Sequence, residues 1–314
     1  MLSTSPAPGE RPHPSGQGLP APSRAGLPWG LAGTAAFSFT VPFTRVATHD
    51  GLSALFLGSG RAVVAAVLAA AALLWTRQAR PSWPQARRLA VVAGGVVLGF
   101  PLLTSYALTT TPASHGAVVI GLLPAATAAM AVLRGKESVP WTFWASAATG
   151  AAAVIVFASL QGGGLGSLHW ADLLLLGAVL AAAVGYAEGG LLARELGAWQ
   201  TVSWALVLSA PVMTVLALVS VVERTPSGTT GQWLAFAYLC VVSMYLGFFA
   251  WYRGLAIGPM ARVSQVQLVQ PVLSILWAAL LLHERVTSTT VVCGAVVVAS
   301  ARIAVRARLG RGAG

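Results

Sequence analysis

The chain has 314 residues, 56% of them apolar and 9% charged, where a soluble domain carries about 25% Asp, Glu, Lys and Arg. That balance excludes a soluble enzyme of this size. The formal charge of +11 would suit nucleic acid in a soluble chain, so its placement along the sequence decides what it means.

Residues 1–27 are rich in Pro, Gly and Ser and predict a disordered cytoplasmic tail. The first apolar run begins only near Trp29 and further runs follow it, so it reads as a permanent span and not as a cleaved leader. Apolar stretches near 28–47, 52–75, 88–108, 112–133, 140–160, 169–192, 199–221, 232–254, 259–281 and 287–306 then predict ten transmembrane helices. The intervening loops are short, which makes neighbouring spans antiparallel and leaves no room for a soluble domain. A basic cytoplasmic tail, 307–314, closes the chain. Cys240 and Cys293 lie inside apolar runs and supply neither a disulfide framework nor a metal cage.

Sliding the sequence along itself by 147 positions pairs Leu108 with Leu255, Pro112 with Pro259, Pro124 with Pro271, Ala131 with Ala278, Glu137 with Glu284 and Val139 with Val286. The shift advances the chain by five spans, an odd number, so the second copy is inserted upside down. The expected architecture is an all-α integral membrane fold of two inverted five-helix repeats, 28–160 and 161–306. Charge supplies a separate expectation. With a cytoplasmic N-terminus, fifteen of the nineteen basic residues fall on the inner side, Arg45, Arg224 and Arg285 fall outside, and Arg61 lies within the second span. Both termini are therefore expected in the cytoplasm, and the net charge is explained by the membrane and its anionic inner-leaflet lipids, without nucleic acid.

Several polar residues inside the spans are candidates for substrate binding. Glu188 sits most of the way along the sixth span, where a carboxylate is costly unless paired, protonated or facing a wet cavity. It would carry a proton or a substrate ammonium, or else pair with Arg194 at the helix end. Arg61 follows Gly58, Ser59 and Gly60 and could clamp a substrate carboxylate, form a structural ion pair or reach the outer interface. In the ninth span Ser264, Gln267, Pro271 and Ser274, with Gln270 beside them, share one helical face that either lines a cavity or bonds to neighbouring helices. The matching face of the fourth span, Ala117, Ile120, Pro124 and Thr127, is much less polar. Pro124 and Pro271 are expected hinges, and Pro271 should free a carbonyl around Gln267. Tyr106, Trp251 and Tyr252 read either as aromatic gates or as interfacial anchors. Glu137 and Glu284 read as helix caps or ion-pair anchors, and His115 as a surface residue.

The stretch from Pro271 through Leu280, Leu281, Leu282, His283, Glu284, Arg285 and Val286 to Gly294 resembles the end of an EamA repeat of the drug/metabolite transporter superfamily, as does Pro124 to Gly135, Lys136, Glu137 and Val139. In that family a proline in the fourth span of each repeat precedes an apolar run and a Gly-Glu pair. Here His283 stands in place of the glycine in the second repeat, and Lys136 separates Gly135 from Glu137 in the first. The resemblance covers about residues 28–306 and implies a secondary transporter that exports small polar metabolites, amino acids foremost. Its implied partners are the substrate and membrane lipids, with a proton, a counter-substrate and a second copy of the chain left open, and it implies no cofactor. An enzyme is the rival class, yet no Gly-x-Ser-x-Gly, His-Glu-x-x-His or Gly-x-x-x-x-Gly-Lys pattern occurs. A channel is another, without a recognisable filter sequence.

Overall fold

The structure, a computed structural model, describes residues 26–135, 140–161, 169–257, 263 and 266–309. Most of the proposed N-terminal tail, together with Lys136, Glu137, Pro259 and Ser264, lies outside the described residues. What is described is helical: α1 (Gly26–Ser38), α2 (Thr40–Thr48), α3 (Ala54–Trp75), α4 (Trp83–Val92), α5 (Phe100–Ala107), α6 (Ala113–Ile120), α7 (Leu123–Gly135), α8 (Trp141–Gln161), α9 (Trp170–Glu195), α10 (Ala198–Glu223), α11 (Thr230–Tyr238), α12 (Gly247–Ile257), α13 (Gln270–Leu282) and α14 (Ser288–Leu309). A π-helical stretch, Ala93–Gly99, joins α4 to α5, and another, Leu239–Leu246, joins α11 to α12. Among the described residues, six segments are long and apolar enough to cross a membrane: Ala54–Trp75, Trp83–Ala107, Ala113–Met130, Trp170–Glu195, Ala198–Glu223 and Thr230–Ile257. Trp141–Phe157, Gln267–Leu282 and Ser288–Ile303 are shorter apolar helices.

The 147-residue offset recurs in the element boundaries. It carries the start of α4 at Trp83 onto that of α11 at Thr230, Phe100 of α5 onto Gly247 of α12, Leu123 of α7 onto Gln270 of α13, and Trp141 of α8 onto Ser288 of α14. The capping chemistry repeats with it. Gln85 Oε1 accepts from the Ser82 N–H at 2.9 Å, and Gln232 Oε1 accepts from the Thr229 N–H at 2.8 Å. Each pair is a capping box, in which a side chain three residues on returns to satisfy an otherwise orphaned amide.

Helix pairing follows the placement of small residues. The long helices α3 and α10 pack together, as do α8 and α14, while α1 lies along α12 and α9 lies along α5 and the first π stretch. At Gly95 an added Cβ would stand 2.3 Å from the Ala181 carbonyl oxygen and 2.9 Å from the Gly185 nitrogen, so backbone meets backbone there. On the other pair, a Cβ on Gly33 would meet the Trp251 nitrogen at 2.9 Å, and one on Gly254 the Gly30 nitrogen at 2.8 Å. Large apolar side chains cover the outside of these helices, Val67, Leu74, Leu180, Leu218 and Val222 among them, and an exposed apolar surface of this kind needs lipid rather than water. Exposed Trp75, Trp83, Trp141 and Trp170 stand at helix ends, the depth at which indole favours a headgroup region.

Candidate substrate-binding cavity

The interior is organised by helices that break. Backbone leaves the α-helical pattern between α1 and α2 at Phe39, and side chains from later helices take up the groups released. Ser274 Oγ donates to the Ser38 carbonyl at 2.7 Å, Trp277 Nε1 donates to Ser38 Oγ at 2.9 Å, and Tyr238 OH donates to the Ala36 carbonyl at 3.0 Å. Just beyond the break, Thr40 Oγ1 and Ser243 Oγ share a hydrogen bond of 2.8 Å. The fourth and ninth spans break as well. Residues Gly121 and Leu122 separate α6 from α7, and a 3-10 turn, Gln267–Val269, precedes α13. Pro124 and Pro271 each occupy the second position of the helix that follows, where a missing N–H costs nothing because that group has no intrahelical partner. The two breaks face one another. A Cβ on Gly121 would sit 3.4 Å from the Pro271 Cβ and 3.1 Å from Val297 Cγ1, so glycine is what lets the spans approach here.

Two narrow cavities adjoin this crossing and share Gln270. One, of about 10 Å³, runs between Val41, Ile120, Pro124, Gln267, Pro271 and Ser274. The other, of about 20 Å³, is bounded by Arg61, Thr40, Ser243 and Gln270 on its polar side and by Phe37, Phe100, Tyr186, Met244 and Phe248 elsewhere. Each admits only a water or two. The polar atoms around them are unusually poor in partners. Among the described residues, neither amide atom of Gln267 has a hydrogen bond, nor does Oε1 of Gln270, nor do Nε and Nη1 of Arg61. Arg61 is 1% exposed and donates from Nη2 to Thr104 Oγ1 at 3.4 Å. Leaving a buried polar group unsatisfied costs about 1–3 kcal/mol, and a buried ion more. Gly58 explains how Thr104 comes within reach, because α5 approaches α3 there with Leu102 Cα only 3.1 Å from where a Cβ would be.

The remaining candidates divide. Ser274 is buried and committed to the Ser38 carbonyl. Trp251 and Tyr252, 1% and 0% exposed, lie too deep to serve as interfacial anchors and join Tyr186 and Phe248 in an aromatic cluster, with Tyr252 OH donating to the Gly185 carbonyl at 3.4 Å. Tyr106, 46% exposed, faces outward from α5 and is apart from this cluster. Ser264 falls outside the described residues. Glu188 is fully buried, and its partner is Arg88 on α4 rather than Arg194 on its own helix. Arg88 also holds Glu195 at 2.6 Å, tying α4 to α9 at one end of the molecule. Thr40, Ser243 and Tyr186, which sequence reasoning passed over, do line the cavity. A hydroxyl in an apolar run was the one available signal for the first two.

At the opposite end, acids again meet partners. His283 closes α13 in the left-handed conformation, with φ of 52°, and the N–H groups of His283 and Glu284 both turn back to the Ala278 carbonyl. This turn aims the Glu284 carboxylate at the start of α6. Its oxygens accept from the N–H of Ala113 at 2.8 Å, the N–H of Ser114 at 2.9 Å and Ser114 Oγ at 2.7 Å. Glu284 thus caps a helix distant in sequence, where negative charge also complements the helix dipole. His115, expected on the surface, is 7% exposed and pairs with buried Asp172 at 2.6 Å. The other Asp172 oxygen accepts from the His169 N–H at 3.0 Å. Ser114, His115, Asp172, Glu284 and Arg285 surround a mouth of about 420 Å³.

Comparison with known proteins accords with this arrangement. A solved structure described only as "Crystal structure of protein" superposes with a TM-score of 0.60 at 20% identity, covering 89% of this chain and 96% of that one, and shows a shared fold. The "Uncharacterized transporter YdeK" of Bacillus subtilis (strain 168) is 45% identical over 257 residues, 82% of this chain and 88% of that protein. The sequence pattern of the EamA-like transporter family matches twice, at residues 24–159 and 169–306. The chain is a multi-pass membrane transporter and belongs to the EamA-like transporter family.

Proposed function

We propose that the protein is a secondary transporter that exports a small polar metabolite, an amino acid or related compound, by alternating access. The observation that carries this reading is the crossing of two broken helices beside buried polar groups, Arg61, Gln267 and Gln270, that keep donors or acceptors without a partner among the described residues. Such groups are costly in a closed protein and useful to a bound solute. The repeated boundaries support ten spans in two inverted five-helix repeats, and the basic residues support a cell-membrane location with both termini in the cytoplasm. On that orientation the Glu284 mouth is extracellular, and the Arg88 contacts with Glu188 and Glu195 close the cytoplasmic end. Rocking about Pro124 and Pro271 would open one end as the other closes, with substrate meeting Arg61, Gln267, Gln270 and Ser274 between them. Tyr252 supports the wall from behind, and Tyr106 has its place at the lipid interface. Proton coupling would use Glu188, whose release from Arg88 would accompany opening; a counter-substrate and a second copy of the chain are the remaining partners in this reading.

The test is exchange in proteoliposomes loaded with unlabelled amino acids and offered a labelled panel, with and without a pH gradient. Exchange of one compound that is accelerated by internal substrate is the expected result, and loss of any pH response in Glu188→Gln would assign coupling. A steady ionic conductance without such acceleration would replace the carrier with a channel.

A further inference from the structure

Charge bookkeeping in the interior sharpens the substrate class. Among the described residues, the buried carboxylates have side-chain partners on the protein: Asp172 shares a hydrogen bond with His115, and Glu188 meets Arg88. Arg61 stands apart. It is as deeply buried as they are, and among the described residues it enters no ion pair and two of its three guanidinium nitrogens have no acceptor. Among the described residues, no Asp or Glu borders its cavity. The surroundings therefore hold one uncompensated positive charge and offer no negative charge to a second site on a ligand. Besides Thr40 and Ser243 the lining is largely apolar, with Phe37, Phe100, Met244, Phe248 and the ring of Tyr186, and Gln270 Oε1 is an acceptor without a partner among the described residues.

We infer that the transported molecule is an organic monoanion, a single carboxylate on an apolar body, whose charge neutralises Arg61. The inference rests on the carrier reading above for the word transported, but the site itself is a matter of binding. A planar carboxylate matches the donor geometry of a guanidinium in two parallel hydrogen bonds, and one charge balances one charge. A dianion would carry an unmatched negative charge into the bundle. A cation would meet Arg61 with no acid to offset it. An ammonium on the same molecule would find a neutral acceptor, Gln270 Oε1, and no counter-ion.

The experiment is thermal unfolding of the purified full-length protein in detergent with three matched series: benzoate and isovalerate, their amides, and benzylamine with isoamylamine. Ligands that bind the folded state raise the unfolding temperature. The carboxylates should raise it in a saturable way, the amides and amines should not, and Arg61→Lys should weaken the apparent affinity for carboxylate at least tenfold. The wild-type comparison stands even where Arg61→Gln fails to fold. Equal shifts across the three series, or none with any carboxylate, would overturn the inference. Failure of the carrier reading looks different: carboxylate binding that depends on Arg61 with no exchange in vesicles keeps the anion site and removes the carrier. Exchange of an amine or an uncharged compound that Arg61→Lys leaves unaltered keeps the carrier and removes the anion site.

Discussion

The ends of the molecule and its middle treat polar groups in opposite ways. At the ends, Glu284 caps α6 through three hydrogen bonds, Asp172 engages both His115 and the His169 amide, and Arg88 holds two glutamates. In the middle, Arg61, Gln267 and Gln270 are buried with donors and acceptors left over. Both regions bury costly groups, so burial alone does not mark a functional residue. For these residues the difference lies in whether the protein supplies the partner: at the ends it does and the group fixes a helix end, while in the middle donors and acceptors stay open to a solute.

That contrast yields a graded series of stability effects, measured by unfolding in detergent. The largest belongs to the His115 and Asp172 pair, since removing one member of a buried hydrogen-bonded pair leaves the other's polar atoms unsatisfied. Asp172→Ala should cost about 3 kcal/mol. The double replacement with His115→Ala should cost less than the two single changes together, and strict additivity would show the pair to be uncoupled. Next comes Glu284→Ala, which strips the cap from α6 and should cost about 1–2 kcal/mol. An unchanged unfolding temperature there would mean that solvent caps the helix as well as the carboxylate does. The smallest effect is His283→Gly. Relief of the left-handed backbone is partly offset by the greater freedom of glycine in the unfolded chain, so stability should rise, by no more than about 1 kcal/mol.

His283 also shows how much of the fold was legible beforehand. The family resemblance places glycine at this position, and the positive φ is the physical reason a residue without Cβ suits it. Apolar runs, a signal local in sequence, pointed to the helices, six of which among the described residues are long and apolar enough to cross a membrane, and breaks stand just before Pro124 and Pro271. The 147-residue offset carries Ser82 and Gln85 onto Thr229 and Gln232, a capping box repeated in plain sight that was legible but unread. Partnerships across the bundle were not legible. Glu188 finds Arg88, a hundred positions away, in preference to the nearby Arg194, and His115 is buried because α9 brings Asp172 to it. The π-helical stretches likewise have no sequence period of their own; the first holds Gly95, where one backbone presses against another, and the second, Leu239–Leu246, holds no glycine at all. Of the candidate site, Arg61, Gln267 and Gln270 could be picked as polar residues in apolar runs. Their lack of partners, which separates them from Ser274 and Glu188, needed three dimensions.

The most direct test of the contrast is Gln267→Met, read for unfolding temperature and for substrate exchange on the same preparation. Both amide atoms of Gln267 are buried without hydrogen bonds, so an apolar side chain of similar length should stabilise the protein by about 1 kcal/mol. The account predicts a higher unfolding temperature together with loss of exchange, the signature of a group kept for its ligand at the expense of stability. A lower unfolding temperature with exchange intact would contradict it, and would place Gln267 with the structural groups at the ends.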